Sequence, residues 1–170
     1  MEFSTMKYNL NLTQNHELSR SFEACVVDYN QLIYKEDESL TELFYFFKNV
    51  EVIDLDCVEK CKSIVNNRPR FKTMDSCFAI CDITRVNMLL VELRFNYKNL
   101  KNLNRESLLG KVTGSRIILG DSIAICEKYI FVFKKDLVQQ ARSRLQRMIP
   151  KIPNNYIAMD LEELQNIYFE

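Results

Sequence analysis

The sequence predicts an α/β or α+β fold, in which a central mixed β-sheet contains an antiparallel hairpin and is flanked by helices. Several stretches space their apolar residues by three and four, which is typical of helices with one buried face. Other stretches are apolar runs of strand length. Two of these, "FKTMDSCFAICD" and "NMLLVELRFNY", are separated only by "ITRV". So short a link favours a hairpin between neighbouring strands.

The N-terminal half is predicted to contain three helices and one strand. Over residues 15–35 the apolar residues recur on one face, which indicates a single amphipathic helix. Ser39 followed by Glu42 has the pattern of a capping box, so we expect a short helix through "LTELFYFFKN". "VEVIDL" is a candidate strand. Asp56 followed by Glu59 predicts a helix through "CVEKCKSIVNN", which ends at the proline of "NNRPR".

After the hairpin, helices and strands alternate. "NRESLLGKVTGSRII" has helical apolar spacing, weakened by Gly110 and Gly114, and "SIAICEKYIFVFK" is typical of a strand. We expect Asp136 to cap a helix whose apolar stripe continues to Met148 and which ends at "IPKIP". A short strand near "NYIAM" and a helix capped by Asp160 follow.

Composition excludes several classes of protein. The 170 residues are 47% apolar and 27% charged, values typical of a globular chain rather than a disordered or coiled-coil one. This length suits a single domain over 1–170. Because no run is apolar enough for a signal peptide or a membrane span, we expect a cytoplasmic protein with no membrane partner. Its six cysteines are then expected to be reduced.

The charges sum to zero but are unevenly distributed. Residues 1–60 hold 12 acidic and 5 basic side chains. Residues 94–120 hold six basic ones against Glu106 alone, and 134–151 hold six against Asp136 alone. Either the acidic and basic halves pair within the molecule, or the basic half forms a face for nucleic acid.

The strand "NMLLVELRFNYKN" carries two charges, Glu92 and Arg94, on one face. Buried charges are unfavourable unless they are paired or bind a metal. If "DITR" is a tight turn that begins at Asp82, Asp75 lies directly opposite Glu92. Two carboxylates about 5 Å apart at Cβ repel each other, which either raises a pKa or calls for a cation such as Mg²⁺ or Mn²⁺. A turn shifted by three residues would place Asp75 opposite Phe95 instead.

The segment "MDSCFAICDITRVNMLLVELRFNYKN" resembles the core of the PD-(D/E)XK nuclease superfamily. That core runs helix, three strands, helix, strand, with an Asp at the start of the second strand and Glu-x-Lys in the third. Asp75 matches the Asp, Glu92 matches the Glu, and Arg94 stands at the position of the Lys. The resemblance implies a restriction-endonuclease-like core over approximately 40–135. It also implies phosphodiester hydrolysis with Mg²⁺ or Mn²⁺ on Asp75 and Glu92, and catalytic roles for these two residues and Arg94.

Arg94 is where the sequence departs from the family. The family's Lys orients or activates the attacking water and stabilises developing negative charge. An arginine can stabilise charge but is poor at proton transfer, because its pKa stays above about 12. Either Lys98 or Lys111 replaces the motif Lys, or the site is inactive and Glu92 and Arg94 form a structural ion pair. The helical carboxylate of the family has two upstream candidates, Glu23 and Glu42.

Basic side chains supply the candidate nucleic-acid contacts. The helix "DLVQQARSRLQRMIPK" places several of them away from its apolar stripe, where they are either a solvated surface or phosphate contacts. With the two lysines near the hairpin, the candidates are Lys98, Lys111, Arg142, Arg144 and Arg147.

The cysteine pairs and the single histidine are two further candidate sites. The pairs Cys57/Cys61 and Cys77/Cys81 are spaced almost like zinc ligands, but apolar packing explains them more simply. His16 lies at a probable helix start and is interpreted as a polar cap rather than a catalytic base. The alternative function is a non-enzymatic interaction module for a protein partner or a second copy of the chain. The apolar "LFYFF" segment and the net charge of zero favour it.

Overall fold

The computed structural model describes residues 5–170 and confirms the predicted class, an α+β fold with a mixed sheet flanked by helices. The first four residues of the N-terminal stretch lie outside this range. Within it, none of the helices has the length and apolar character needed to cross a membrane.

The described residues form seven strands and seven α-helices. The strands are β1 (Lys7–Tyr8), β2 (Val26–Asp28), β3 (Glu51–Asp54), β4 (Ser76–Cys81), β5 (Val86–Arg94), β6 (Ile125–Phe133) and β7 (Tyr156–Met159). The helices are α1 (Leu10–Asn15), α2 (Glu17–Ser21), α3 (Tyr29–Glu36), α4 (Leu55–Val65), α5 (Arg105–Leu119), α6 (Val138–Gln146) and α7 (Leu161–Tyr168), with a 3₁₀ helix at Glu23–Cys25.

The sheet has the order β2-β3-β4-β5-β6-β7, and β1 pairs with the far end of β4. Pairing is antiparallel from β2 to β5 and parallel from β5 to β7, because α5 and α6 are crossover helices. Alternate residues of β5 pack on opposite sides. Met88 and Leu90 contact the core under α4, α5 and α6, whereas Leu89 and Val91 contact the core under α3 and α7.

The β4–β5 hairpin has the register that a turn at Asp82 predicts. Ser76 pairs with Val91 at one end of the ladder. At the other end, the Asp82 carboxylate accepts the backbone N–H groups of Thr84 and Arg85, each at 2.8 Å. The same register, continued by one residue, places Asp75 opposite Glu92. The alternative, with Asp75 opposite Phe95, is excluded.

The predicted single helix over residues 15–35 is wrong. The chain instead forms α1, α2, the 3₁₀ helix, β2 and α3. His16 ends α1 and caps α2, since its Nδ1 accepts the backbone N–H of Leu18 at 3.1 Å, which confirms the predicted cap. Residues 26–28 are drawn into the sheet by pairing with β3, a long-range contact that local periodicity does not report.

Other predicted helix starts also differ from the structure. The helix expected from Ser39 is absent, because the Asn30 side chain accepts the N–H groups of Phe46 and Phe47 and holds residues 37–50 as an irregular segment. Asp54, not Asp56, caps α4. The first turn of α6 follows Leu137 without a side-chain cap, so Asp136 does not have the predicted role. The capping box at Asp160 is confirmed.

A disulfide joins Cys25 to Cys57 and ties the 3₁₀ helix to α4. The expectation that all six cysteines are reduced is therefore wrong for these two. Pairing of β2 with β3 brings Cys25 beside the start of α4, at a Cα–Cα distance of 5.5 Å. Cys57 is thus not available as a zinc ligand with Cys61.

Helix α5 lies unusually close to the segment that leads into β4. A Cβ on Gly114 would overlap the carbonyl oxygen of Lys72 and come within 3.2 Å of the Phe71 Cβ. One residue later, Ser115 Oγ accepts the backbone N–H of Met74 at 2.7 Å. The backbone just before Asp75 is therefore held against α5.

Gly114→Ala should destabilise the protein by about 2 kcal/mol or more, since either α5 or residues 71–74 must move to relieve the overlap. Gly110→Ala is the matched control, because its Cβ would meet nothing closer than 4.0 Å. That change should be neutral or stabilising by up to about 1 kcal/mol through helix propensity. Urea unfolding of both variants measures the difference, and equal stabilities would contradict the close approach.

Candidate functional site

One cavity, of about 580 Å³, brings together the charged residues of the hairpin. It opens where β5 ends, and its wall is completed by the end of α3, by α5 and by the loop after β5. Its charged lining residues are Glu36, Asp75, Glu92, Arg94, Lys98 and Lys111. The predicted carboxylate pair, Arg94 and both candidate lysines thus lie in a single cavity.

Glu92 lines this cavity and is only 2% exposed. Its Oε1 accepts a hydrogen bond from Lys111 Nζ at 2.5 Å. Arg94 Nε lies 3.1 Å from the same oxygen but is not oriented for a hydrogen bond. Glu92 Oε2 is buried with no hydrogen-bond partner among the described residues. Glu92 Oε1 is therefore close to two cationic groups, whereas Glu92 Oε2 has no hydrogen-bond partner among the described residues.

Asp75 lies beside Glu92 through the hairpin register. Its Oδ2 accepts the backbone N–H of Leu93 at 2.7 Å, and its Oδ1 accepts no hydrogen bond from the described residues. Burial raises the pKa of Asp75. Burial also raises the pKa of Glu92 to about 7, with a further contribution from the charge of Asp75, while Lys111 and Arg94 act in the opposite direction.

Glu36 is a third carboxylate in the cavity, and sequence reasoning missed it. Burial raises its pKa, and the charge of Asp75 raises it further. Asn96 fixes the end of α3 here, because its Nδ2 donates to the Glu36 carbonyl at 2.7 Å and its Oδ1 accepts the Glu38 N–H at 2.9 Å. The pattern "KEDES" marks a helix end but does not distinguish Glu36 from its acidic neighbours.

The two glutamates proposed from sequence as the helical carboxylate do not line this cavity. Glu23 opens the 3₁₀ helix, and Glu42 lies in the irregular segment 37–50. Both assignments depended on helices that the chain does not form.

Arg94 presents an unsatisfied cationic group. Its Nη1 donates to the hydroxyl of Tyr97 at 2.7 Å, which holds the guanidinium in place. Its Nη2 is buried without a partner among the described residues. Lys98 lines the same cavity and forms no ion pair within residues 5–170. The cavity therefore offers donors to an anion as well as carboxylate oxygens to a cation.

The arginines of α6 lie outside this cavity. Arg144 and Arg147 line a second, separate groove of about 590 Å³. Arg142 is engaged elsewhere, since its Nη2 forms hydrogen bonds with both carboxylate oxygens of Glu163 and its Nε donates to the Ala158 carbonyl. Of the three predicted α6 contacts, only Arg144 and Arg147 are free to meet a ligand.

The described residues contain no metal site built entirely from protein side chains. Across residues 5–170, His, Cys, Asp and Glu side chains form no group of three or more that could hold a metal ion. This applies to the cysteine pairs as well. Asp75 Oδ1 and Glu92 Oε2 remain without partners, and Mg²⁺ is commonly held by one or two carboxylates together with water and phosphate oxygens.

Comparisons with known proteins leave the site to be interpreted from its own geometry. No family model matches the chain, and neither the curated proteins nor the solved structures contain a match. The resemblance to the PD-(D/E)XK superfamily therefore depends on Asp75, on Glu92-x-Arg94 and on the order of the surrounding elements.

The raised pKa of Glu92 predicts a pH-dependent stability. Its folded pKa is about 7 against an ordinary 4.5, so the stabilisation from its protonated form is complete below about pH 4.5 and is lost as the pH rises through about 7. Between about pH 5 and pH 8 this carboxyl should lower the free energy of unfolding by about 2 to 3 kcal/mol, at about 1.4 kcal/mol per pKa unit.

Glu92→Gln cannot ionise, so its free energy of unfolding should fall less over this pH range than that of the parent. Urea unfolding at both pH values measures the two slopes. Glu127→Gln, which removes an exposed carboxylate on β6, should keep the parent's slope. A parent-like slope in Glu92→Gln would contradict a buried titrating carboxyl at this position.

Proposed function

We propose that this protein is a metal-dependent nuclease that hydrolyses phosphodiester bonds in the cavity around Asp75 and Glu92. The observation that carries the proposal is the convergence of these two carboxylates with Lys111 and Arg94, with Glu92 Oε2 and Arg94 Nη2 left unpaired. A site that served only structure would be expected to satisfy its buried charged atoms.

The element order supports the same proposal. Helix α3, strands β3, β4 and β5, helix α5 and strand β6 follow one another as the resemblance implies, with α4 as an additional helix between β3 and β4. Glu36 then occupies the position of a carboxylate on the first helix of the core. The strand carries Arg94 where the family has a Lys. Here the ammonium group beside Glu92 comes instead from Lys111 on the following helix.

Each residue has a role that its contacts support. Asp75 Oδ1 and Glu92 Oε2 would hold Mg²⁺ or Mn²⁺, which supplies Lewis-acid chemistry at the phosphate and a bound water of lowered pKa. Arg94 Nη2 donates to a phosphate oxygen and stabilises the charge that develops there. Lys111 keeps its ammonium group at Glu92 Oε1, from where it would orient the attacking water.

A protein that binds nucleic acid without cleaving it is the second candidate. It is favoured by the occupation of Glu92 Oε1, which meets both Lys111 Nζ and Arg94 Nε in the structure. If these ion pairs persist with metal and substrate present, Glu92 offers one oxygen only. The two candidates differ in a single measurement, cleavage by the parent protein.

Substitution of the site should abolish cleavage. With Mg²⁺ or Mn²⁺ and a plasmid or oligonucleotide substrate, we expect Asp75→Asn, Glu92→Gln and Lys111→Gln each to lower the rate by about 10²- to 10³-fold. The matched controls are Asp121→Asn, Glu127→Gln and Lys60→Gln, which change the same residue types at exposed positions. A Glu92→Gln variant as active as the parent would rule out this site.

The pH dependence of cleavage should report Glu92. Because a metal ligand must be deprotonated and the pKa of Glu92 is about 7, the rate at low metal concentration should rise about tenfold per pH unit below that value. Raising the metal concentration should shift the midpoint to lower pH, since metal and proton compete for the same carboxylate. A midpoint that does not move with metal concentration would show that no titrating carboxylate binds the metal.

A further inference from the structure

The groove that contains Arg144 and Arg147 is adjacent to the cavity at Glu92. Asn99, in the loop after β5, lines both. Lys101 from the same loop forms one wall of the groove, and the exposed face of α6 forms the other. Lys98 lines the cavity and Lys101 lines the groove, so a basic side chain is present on each side of Asn99. We call the space lined by Asn99, Lys101, Ser143, Arg144 and Arg147 the basic groove.

The charge of the basic groove is not compensated. None of its lining residues is an Asp or a Glu. Lys101, Arg144 and Arg147 form no ion pair within residues 5–170, whereas the neighbouring Lys134 and Lys135 are paired with Asp37 and Glu162. In a chain with no net charge, this is a local positive surface that calls for an anionic occupant.

The other lining groups match a sugar–phosphate backbone. Gln139 and Ser143 are four residues apart on α6, and Arg147, the C-cap of that helix, follows after four more, so the three residues lie about one helical turn apart. The groove contains no aromatic side chain on which a base could stack. Contacts of this kind position a strand through its phosphates without reading its sequence.

We propose that the basic groove holds the phosphate backbone of a nucleic-acid strand and leads it into the cavity at Glu92. The direction of the strand rests on the proposed function, according to which the scissile phosphate lies in the cavity at Glu92. Arg144 and Arg147 bind phosphates away from the reaction, Lys101 binds at the loop, and Lys98 marks the passage into the cavity. Sequence-independent binding follows because phosphate contacts carry no sequence information.

The test is the binding of fluorescently labelled DNA and RNA oligonucleotides, single-stranded and duplex, measured by anisotropy in EDTA over a range of salt concentrations. The double variant Arg144→Gln/Arg147→Gln should bind at least about tenfold more weakly at low salt. The slope of log K against log salt concentration should be smaller in magnitude by about 1.4 to 1.8, since each of the two lost phosphate contacts contributes about 0.7 to 0.9. Lys101→Gln tests the opposite wall without altering α6.

The control double variant is Lys60→Gln/Lys128→Gln, which removes the same charge from exposed positions on α4 and β6. It should bind as the parent does. Parent-like affinity and salt slope in Arg144→Gln/Arg147→Gln, or an equal loss in the control, would overturn the proposal. Displacement of the oligonucleotide by poly-glutamate as effectively as by unlabelled DNA, at equal charge concentration, would instead identify an acidic polypeptide as the occupant.

The binding and cleavage assays separate this proposal from the proposed function. The parent should bind oligonucleotide in EDTA, where no metal is available for cleavage, and should cleave it only when Mg²⁺ or Mn²⁺ is added. If the parent binds through Arg144 and Arg147 but never cleaves, the nuclease proposal fails and the basic groove stands. If the parent cleaves while Arg144→Gln/Arg147→Gln binds and cleaves as the parent does, the basic groove fails and the nuclease proposal stands.

Discussion

The antiparallel register of β4 and β5 is the constraint on which the site depends. The Asp82 carboxylate fixes the turn by accepting two backbone N–H groups, and the ladder from Ser76 to Cys81 carries that register along the hairpin. Side chains alternate along a strand, so a shift of one residue would turn Glu92 toward the core under α3 and α7. The position of Asp75 opposite Glu92 is thus decided by a turn at the far end of the hairpin.

The register brings together charges whose burial has a free-energy cost. Glu92 is buried with Asp75 and Glu36 nearby, and its pKa rises although Lys111 and Arg94 are in contact with it. The ion pairs do not satisfy every atom, because Glu92 Oε2 and Arg94 Nη2 remain unpaired. Such an arrangement is understandable if ligands complete it. The divalent cation and phosphate of the proposed function would supply a partner for the remaining acceptor and donor.

Helix α5 connects the hairpin to the rest of the site. Gly114 allows its backbone to approach Lys72, and Ser115 Oγ binds the backbone of Met74, directly before Asp75. Lys111 lies one turn earlier on the same helix and reaches Glu92. The close contact between α5 and the segment that leads into β4 therefore fixes the positions of Asp75 and Lys111 together. The loop between β5 and α5 then extends the site toward the groove on α6.

By itself, the sequence determined the fold class, the hairpin and the position of α5, and it offered Asp75 opposite Glu92 as one of two registers, because alternation, turn chemistry and capping act over a few residues. The tertiary structure decided what depends on residues far apart in the chain. It divided residues 15–35 so that β2 could pair with β3, and it joined Cys25 to Cys57. It also placed Glu36 and Lys111 beside the hairpin. No local pattern contains these contacts, because each depends on how the helices pack across the completed sheet.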